Sequence, residues 1–403
     1  MDEAILRTVG RTGGRSVTDF AIDKAVSIVG IGQSTFSAKG GQSVERLILQ
    51  AIKEALADAG LTTADVDGLV TEGNLMPHIF GPHDVARALG MRQNFFSAHS
   101  GTVGAGIVTA LQLAAMALDA GLATTVVSYF GVDWGTNSGA YAWHGAMPLK
   151  ASLEMPFGFY AQPVYFAQLA QRYMHEYQVS ADVFAGVPIS SRAWAQHNPL
   201  AQERRPLDME GYLASPMIAD PMRRADCCLL TDGAAAFVMT TPERARDLRQ
   251  PPVRVAACEA AYPKHTVHSF LTQQPDLLGT AARVTAPLAM AKAGVSHADV
   301  DLVCLYDCFS ISALLQMEDM GFCAPGEGGM FFGGGEAAPG GRLPVNPHGG
   351  MMSEGYLMGI TNINETVRQI RGSAGTRQIP DASIGVISGI AAQHATAILT
   401  RAT

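Results

Sequence analysis

The chain has 403 residues, enough for two or three domains or one large duplicated one. Only 16% of it is charged and 48% is apolar, against roughly 25% charged in an average soluble domain, which excludes a disordered chain and fits extensive buried surface. A net charge of −8 excludes a general attraction to nucleic acid or anionic membrane.

From the N-terminus, Asp2, Glu3 and Asp23 interrupt any apolar signal core, and none of the six cysteines forms a CxxC pair. The expectation is a cytoplasmic chain without a disulfide framework. Residues 25–32 (AVSIVGIG) predict a buried strand. Residues 43–59 predict an amphipathic helix with Leu47, Ile48, Ala51, Ile52, Ala55 and Leu56 on its apolar face. A strand over 68–71, an apolar helix over 105–120 and a strand over 124–130 follow. The apolar stretch of the helix, 105–118, stops at Asp119 and is too short to span a bilayer. Residues 134–225 are less periodic and richer in Pro, Met and aromatics, and read as an inserted loop domain over a cleft. Beyond it come a strand over 302–306, helices over 310–320 and 359–371, and strands over 384–388 and 396–401. Strand–helix alternation of this kind predicts a layered α/β fold.

An internal repeat organises the chain. ADAGLTTADVD at 57–67 reappears as AKAGVSHADVD at 291–301, with seven of eleven positions identical. Each copy reads as a helix stopped by glycine, a short turn, then an apolar strand. Two similar halves are expected, 1–245 and 246–403, with the loop domain at about 134–225 inside the first.

Residues 326–350 contain ten glycines in twenty-five positions. They carry neither GxxxxGKS nor a strand-borne GxGxxG, so no nucleotide phosphate cradle is supported. Glycine at this density lets backbone approach a ligand or another segment closely before a helix begins.

Four motifs, in order, resemble the thiolase superfamily in its sterol-carrier-protein-type branch. They are SIVGIGQSTF from Ser27, Asp226-Cys227-Cys228 with Thr231-Asp232-Gly233-Ala234-Ala235-Ala236, Tyr306-Asp307-Cys308-Phe309-Ser310, and Asn346-x-x-Gly349-Gly350 leading to Gly355-Tyr356. The resemblance implies a five-layered αβαβα fold, a homodimer, and an acyl-coenzyme A thioester as ligand, with no cofactor beyond the coenzyme A of the substrate.

The departures are informative. A thiolase takes up its acyl group on a cysteine at the start of the central helix. Here that stretch is Ser100-Gly101-Thr102-Val103-Gly104-Ala105-Gly106, and a second cysteine is also missing near Gly389. The six cysteines are expected elsewhere, and covalent acyl transfer is not. Ser100, as a substitute nucleophile, lacks a recognisable base. Tyr356 stands where the family has histidine, and Tyr306 where it has histidine or asparagine. This double replacement resembles the thiolase-like aldolases of bacterial steroid side-chain degradation.

That resemblance implies retro-aldol cleavage of a β-hydroxyacyl-CoA, such as a 17-hydroxy steroid three-carbon side-chain thioester, to a 17-ketosteroid and propionyl-CoA. Tyr306 and Tyr356 are the acid/base pair, with Tyr356 the preferred acceptor of the hydroxyl proton. A phenol ionises near pH 10, so a basic tyrosine needs a lowered pKa or a relay. Gly389 and Gly104 are candidates for holding the enolate oxygen through backbone N–H groups, with tight helix packing as the alternative. Asp307, Ser353 and Gly355 are further candidates for substrate contact; Asp307 either orients Tyr306 or caps the next helix. His348 and His394 read as structural, and no cluster has metal-ligand spacing. Met351, Met352 and Met358 either line an apolar pocket or fill the core. The aldolases also imply a small separate subunit with an OB-type barrel and a zinc ribbon, absent from this chain. A non-catalytic lipid or acyl-CoA carrier and a Claisen-type acyltransferase are the rival readings.

Overall fold

The computed structural model describes residues 26–72, 80–92, 95–101, 104–137, 148–262, 276–391 and 393–402. Its strands are β1 (Ser27–Gln33), β2 (Gly68–Glu72), β3 (Phe96–Ser100) and β4 (Thr125–Asp133), then the small pair β5 (Met217–Ala219) and β6 (Met222–Arg223). They continue with β7 (Asp232–Thr240), β8 (Val253–Ala261), β9 (Leu302–Cys304), β10 (Ile384–Ile390) and β11 (His394–Arg401). Nine of them form one sheet in the order β3-β2-β4-β7-β1-β8-β11-β10-β9.

That order displays the duplication. In the first half β1 pairs antiparallel with β7, β7 antiparallel with β4, and β4 parallel with β2. In the second, β8 pairs antiparallel with β11, β11 antiparallel with β10, and β10 parallel with β9. The halves meet through two residue pairs between β1 and β8, Ser27–Arg254 and Ile28–Val253.

The sequence repeat has a physical basis in both copies. Helix α1 (Val44–Ala59) ends at Gly60, with φ +75°, and its counterpart α5 (Ala282–Ala293) ends at Gly294, with φ +69°. Such left-handed backbone strongly favours glycine. Asp65 then accepts the Thr62 N–H at 2.9 Å and Asp299 the Ser296 N–H at 2.8 Å, capping equivalent single turns. Two residues on, Asp67 accepts N–H bonds from Thr124 and Thr125, and Asp301 from Ser383 and Ile384. Each second aspartate thus ties its strand to the start of the parallel neighbour.

Helix α1 packs on β1, β4 and β7, and α5 on β8 and β11. Helix α2 (Gly106–Asp119) touches strands of both halves, as does α9 (Ile360–Arg371). Two outer helix layers, two half-sheets and a central helix layer give the five-layered αβαβα order. Both faces of α2 are therefore covered, which explains its nearly all-round apolar sequence.

The segment between the halves contains helices. Helices α3 (Gln162–Tyr177) and α4 (Gly186–Ala195) pack on α6 (Ser310–Asp319). The glycine-rich stretch is folded against them. It forms α7 (Gly328–Gly333) and leads into the short α8 (Gly350–Ser353), both packed on α4. Among the described residues no helix is long and apolar enough to cross a membrane.

Candidate active site

Tyr306 follows β9 and Tyr356 follows α8, fifty positions apart. Asn346 brings the two segments together. Its side chain accepts the Leu305 N–H at 2.7 Å and donates to the Leu305 carbonyl at 3.2 Å, while its own N–H bonds the Val303 carbonyl. Asn362, in the first turn of α9, donates to the same Leu305 carbonyl at 2.9 Å. The strand expected over 302–306 accordingly stops at Cys304, because asparagine side chains rather than a neighbouring strand bond the backbone of Leu305.

The result is a buried pair of phenols. The Tyr306 and Tyr356 hydroxyls lie 2.7 Å apart, with the rings edge to face. The Tyr306 hydroxyl also donates to Met358 Sδ at 3.3 Å. Tyr356 stacks against Trp134 at 4.8 Å between ring centroids, and its N–H donates to Thr231 Oγ1. Burial pushes both phenols well above their usual pKa, and the mutual influence of Tyr306 and Tyr356 raises the former further. Two neutral phenols in contact can pass a proton between them; a standing phenolate is not favoured.

The cysteines correct one expectation. Cys228 and Cys308 are not remote from the site: the Cys228 N–H donates to the Cys308 carbonyl at 2.9 Å, and both thiols act electrostatically on Tyr356. Burial pushes the Cys308 thiol up to about 12 and Cys228 well above its usual value. Both stay protonated and are poor nucleophiles.

Asp307 also differs from both readings of it. Its Oδ1 accepts the Met351 N–H at 2.9 Å, so it holds the start of α8, not the helix that follows it in sequence. Gly349 and Gly350 have φ of +103° and +59°, and a Cβ at Gly350 would lie 2.1 Å from Asp307 Oδ2. Only glycine lets the chain pass there. Burial raises the Asp307 carboxyl to about 6.

The other candidates separate into two groups. Ser353 is fully buried, 3.1 Å from Ser191 Oγ, and accepts from Arg192 Nε at 3.2 Å; it anchors α8 to α4. Gly355 is packed between Phe36 and Thr231. Gly389 and Gly104 lie together, since a Cβ on Gly389 would sit 2.5 Å from the Gly104 carbonyl oxygen. Gly104 itself has φ +80° and abuts the Ile390 carbonyl. Close approach of β10 to the start of α2 is thus one reason for both glycines. Thr102 and Val103 of that stretch lie outside the described residues.

His394 is held by Thr285 Oγ1, and burial depresses its pKa to about 3, so it is neutral. His348 is buried behind α8. Met351 and Met352 are core, whereas Met358 reaches the phenol pair. No cluster of metal-ligating side chains occurs among the described residues. A surface groove of about 410 Å³ between α4 and α7 contains neither tyrosine.

Sequence reasoning missed Glu72 and Trp134. Glu72 ends β2 as a carboxylate at the close of an otherwise uncharged strand, a signal that could have singled it out. Trp134 carries no motif, and only packing against Tyr356 reveals it.

Residues 264–401 match the family described as thiolase C-terminal domain-like. The chain is 35% identical to a steroid side-chain-cleaving aldolase of Thermomonospora curvata, over 87% of this chain and 91% of the relative. It is 38% identical to the 17-hydroxy-3-oxo-4-pregnene-20-carboxyl-CoA lyase of Mycobacterium tuberculosis, over 86% and 92%. Among solved structures, an Ltp2–ChsH2(DUF35) aldolase matches with a TM-score of 0.83 at 32% identity, covering 94% of this chain and 99% of that one. The family match, the two relatives at 35% and 38% identity and the fold similarity over almost the whole length agree: the chain belongs to the thiolase superfamily, in the branch that holds the steroid side-chain-cleaving aldolases.

Proposed function

We propose that this protein is a carbon–carbon lyase that cleaves a β-hydroxyacyl-CoA by retro-aldol reaction, with a 17-hydroxy steroid bearing a three-carbon side-chain thioester as the substrate class. The observation that carries the reading is the buried 2.7 Å contact between the Tyr306 and Tyr356 hydroxyls. The names of the two relatives support the substrate class.

The chemistry balances without an ionised tyrosine. In one concerted relay the first phenol accepts the proton of the tertiary hydroxyl while donating its own to the second, and the second gives its own proton to Cα. The C–O electrons form the ketone, and the Cα–Cβ pair passes to Cα with enolate character on the thioester oxygen as that proton arrives, releasing propionyl-CoA. Neither tyrosine carries a charge before or after the step. Among the described residues the Tyr356 hydroxyl bonds Tyr306 alone, whereas Tyr306 also engages Met358, which supports Tyr356 as the phenol that meets the substrate hydroxyl. Trp134 would form part of the wall behind it.

A homodimer through the thiolase core, and a small subunit with an OB-type barrel and zinc ribbon, belong to the same proposal. The match to an aldolase solved with a DUF35 component supports the second. The test is incubation of the purified chain, with and without such a subunit, with the 17-hydroxy side-chain thioester. Equimolar 17-ketosteroid and propionyl-CoA are expected. Binding without product under both conditions would favour a carrier instead.

An acyltransferase would carry its acyl group on sulfur. Cys228→Ala and Cys308→Ala are therefore expected to keep cleavage rates within about threefold of the parent, because protonated buried thiols give no covalent step. Intact-mass spectra after exposure to the thioester should show no acyl adduct; a stoichiometric adduct lost in either variant would point to Claisen chemistry.

A further inference from the structure

Glu72 is the last residue of β2, in register with Ser100 of the parallel neighbour β3. Ligands of α/β sheets gather beyond the carboxyl ends of parallel strands. Both side chains are buried there, and among the described residues neither Glu72 Oε2 nor Ser100 Oγ has a hydrogen-bond partner. The Glu72 side chain lies on the first turn of α2: a Cβ at Gly106 would fall 2.3 Å from its Cγ and 3.2 Å from its Oε1. That is the helix start bounded by Gly104 and Gly389. Glu72 also acts electrostatically on both Tyr306 and Tyr356.

A buried carboxyl with an unpartnered oxygen is costly unless something else uses it. Among the described residues Glu72 forms no ion pair. Among the described residues the two phenols are the titratable side chains on which Glu72 is seen to act. His99 and Tyr129 lie on adjacent strands in register with Thr71, one position back and so on the opposite face. Burial without a cation holds the carboxyl well above its usual range, so it is a neutral acid with one O–H to donate.

We propose that Glu72 is a further catalytic residue, whose neutral carboxyl donates its O–H to the thioester oxygen of the acyl-CoA as that oxygen gains enolate charge. The inference rests on the retro-aldol reading. A hydrogen-bond donor aimed at developing charge in a dry site is worth more in the transition state than in the ground state. The proton stays shared between carboxyl and enolate oxygen and returns to Glu72 when Cα is protonated, so the carboxyl is unchanged over a turnover.

Two variants and two readouts test this on the full-length chain, with the small subunit present where activity requires it. Glu72→Gln keeps an N–H donor of similar shape; Glu72→Ala keeps none. Expected are a kcat about tenfold lower in Glu72→Gln and about 10²- to 10³-fold lower in Glu72→Ala, with KM little changed. Parent activity should fall as pH rises and the carboxyl ionises, a limb absent from Glu72→Gln. The second readout needs no turnover: calorimetric binding of propionyl-CoA and of its thioether analogue, which lacks the carbonyl oxygen. The parent should prefer the thioester by about tenfold, and Glu72→Ala should lose that preference. A Glu72→Gln variant that binds both compounds normally but is as slow as Glu72→Ala would overturn the donor role and indicate a base. Parent-like kcat in both variants would remove Glu72 from the chemistry. If the parent itself cleaves no steroid thioester, the retro-aldol reading fails, while the binding comparison still decides whether Glu72 meets a thioester oxygen.

Discussion

Tyr356→Phe and Tyr306→Phe are each expected to reduce kcat for thioester cleavage by about 10²- to 10⁴-fold, the usual contribution of a positioned acid or base. Both should still bind the acyl-CoA. Each removes one hydroxyl from a pair that is 2.7 Å apart and leaves the edge-to-face ring contact of the pair and the packing of Tyr356 on Trp134 in place. The lost hydrogen bond should reduce stability by only about 1 kcal/mol. The double variant should be little slower than the slower single variant, because two groups in one relay do not contribute independently. Steady-state rates beside equilibrium binding of the substrate thioester check all three. Parent-like turnover in both single variants would remove the tyrosine pair from the chemistry and leave cleavage to other groups.

The largest expected effect on stability lies behind the site. Glu365 on α9 is fully buried and receives Arg377 Nε at 2.9 Å and an Arg377 terminal nitrogen at 2.8 Å, with Gln369 Nε2 at 2.8 Å. Replacing Arg377 by Met leaves a buried carboxylate with Arg368 3.8 Å away and His348 also acting on it. Losses of about 3–5 kcal/mol follow from such broken pairs. The pair also fixes the sign of a pH effect. Arg377 counters the burial of Glu365 and holds its pKa below the usual carboxylate value. A carboxyl depressed in the folded state stabilises above its unfolded pKa, about 4.3, and that contribution disappears as pH falls through the folded value. In Arg377→Met the carboxyl is instead raised by burial. The stability gap between parent and variant should therefore be widest near neutral pH and shrink toward about pH 4. Urea unfolding midpoints at the two pH values measure it; a gap independent of pH would mean that the arginine acts by packing alone.

Glu365 also shows why stability and site are linked. It stands on α9, whose Asn362 bonds the Leu305 carbonyl next to Tyr306. Loosening that helix is expected to loosen one of the two phenols.

Local signals in the sequence were sufficient for much of the frame. The apolar face of residues 43–59 predicted α1, and glycine followed by Asp-Val-Asp predicted two equivalent helix–turn–strand units, which occupy matching places in the sheet. These features depend on backbone conformation and on contacts a few residues apart. The segment over 134–225 was harder. Its helices α3 and α4 are anchored by packing on α6 and α7, contacts absent from local periodicity.

The candidate site divides in the same way. Motif resemblance selected Tyr306 and Tyr356, but nothing in their spacing required their hydroxyls to touch. It assigned Asp307 to a neighbour in sequence, whereas its carboxylate holds Met351 across forty-four positions. It read the glycines at 349 and 350 as room for a ligand or a chain segment, and the segment that fills the room is the one bearing Asp307.

What the sequence determined by itself is what residue type and short range decide: a duplicated α/β chain, no cysteine at the start of the central helix, and two phenols at positions that thiolases give to other chemistry. Tertiary structure decided which groups share one small volume. Asn346 and Asn362 converge on Leu305 to join the phenols, two thiols and the Glu72 carboxyl lie close enough to influence them, and removal from water sets all of these groups neutral. Proton affinity depends on solvent exclusion and on charges brought near through space, and neither is encoded at any single position of the chain.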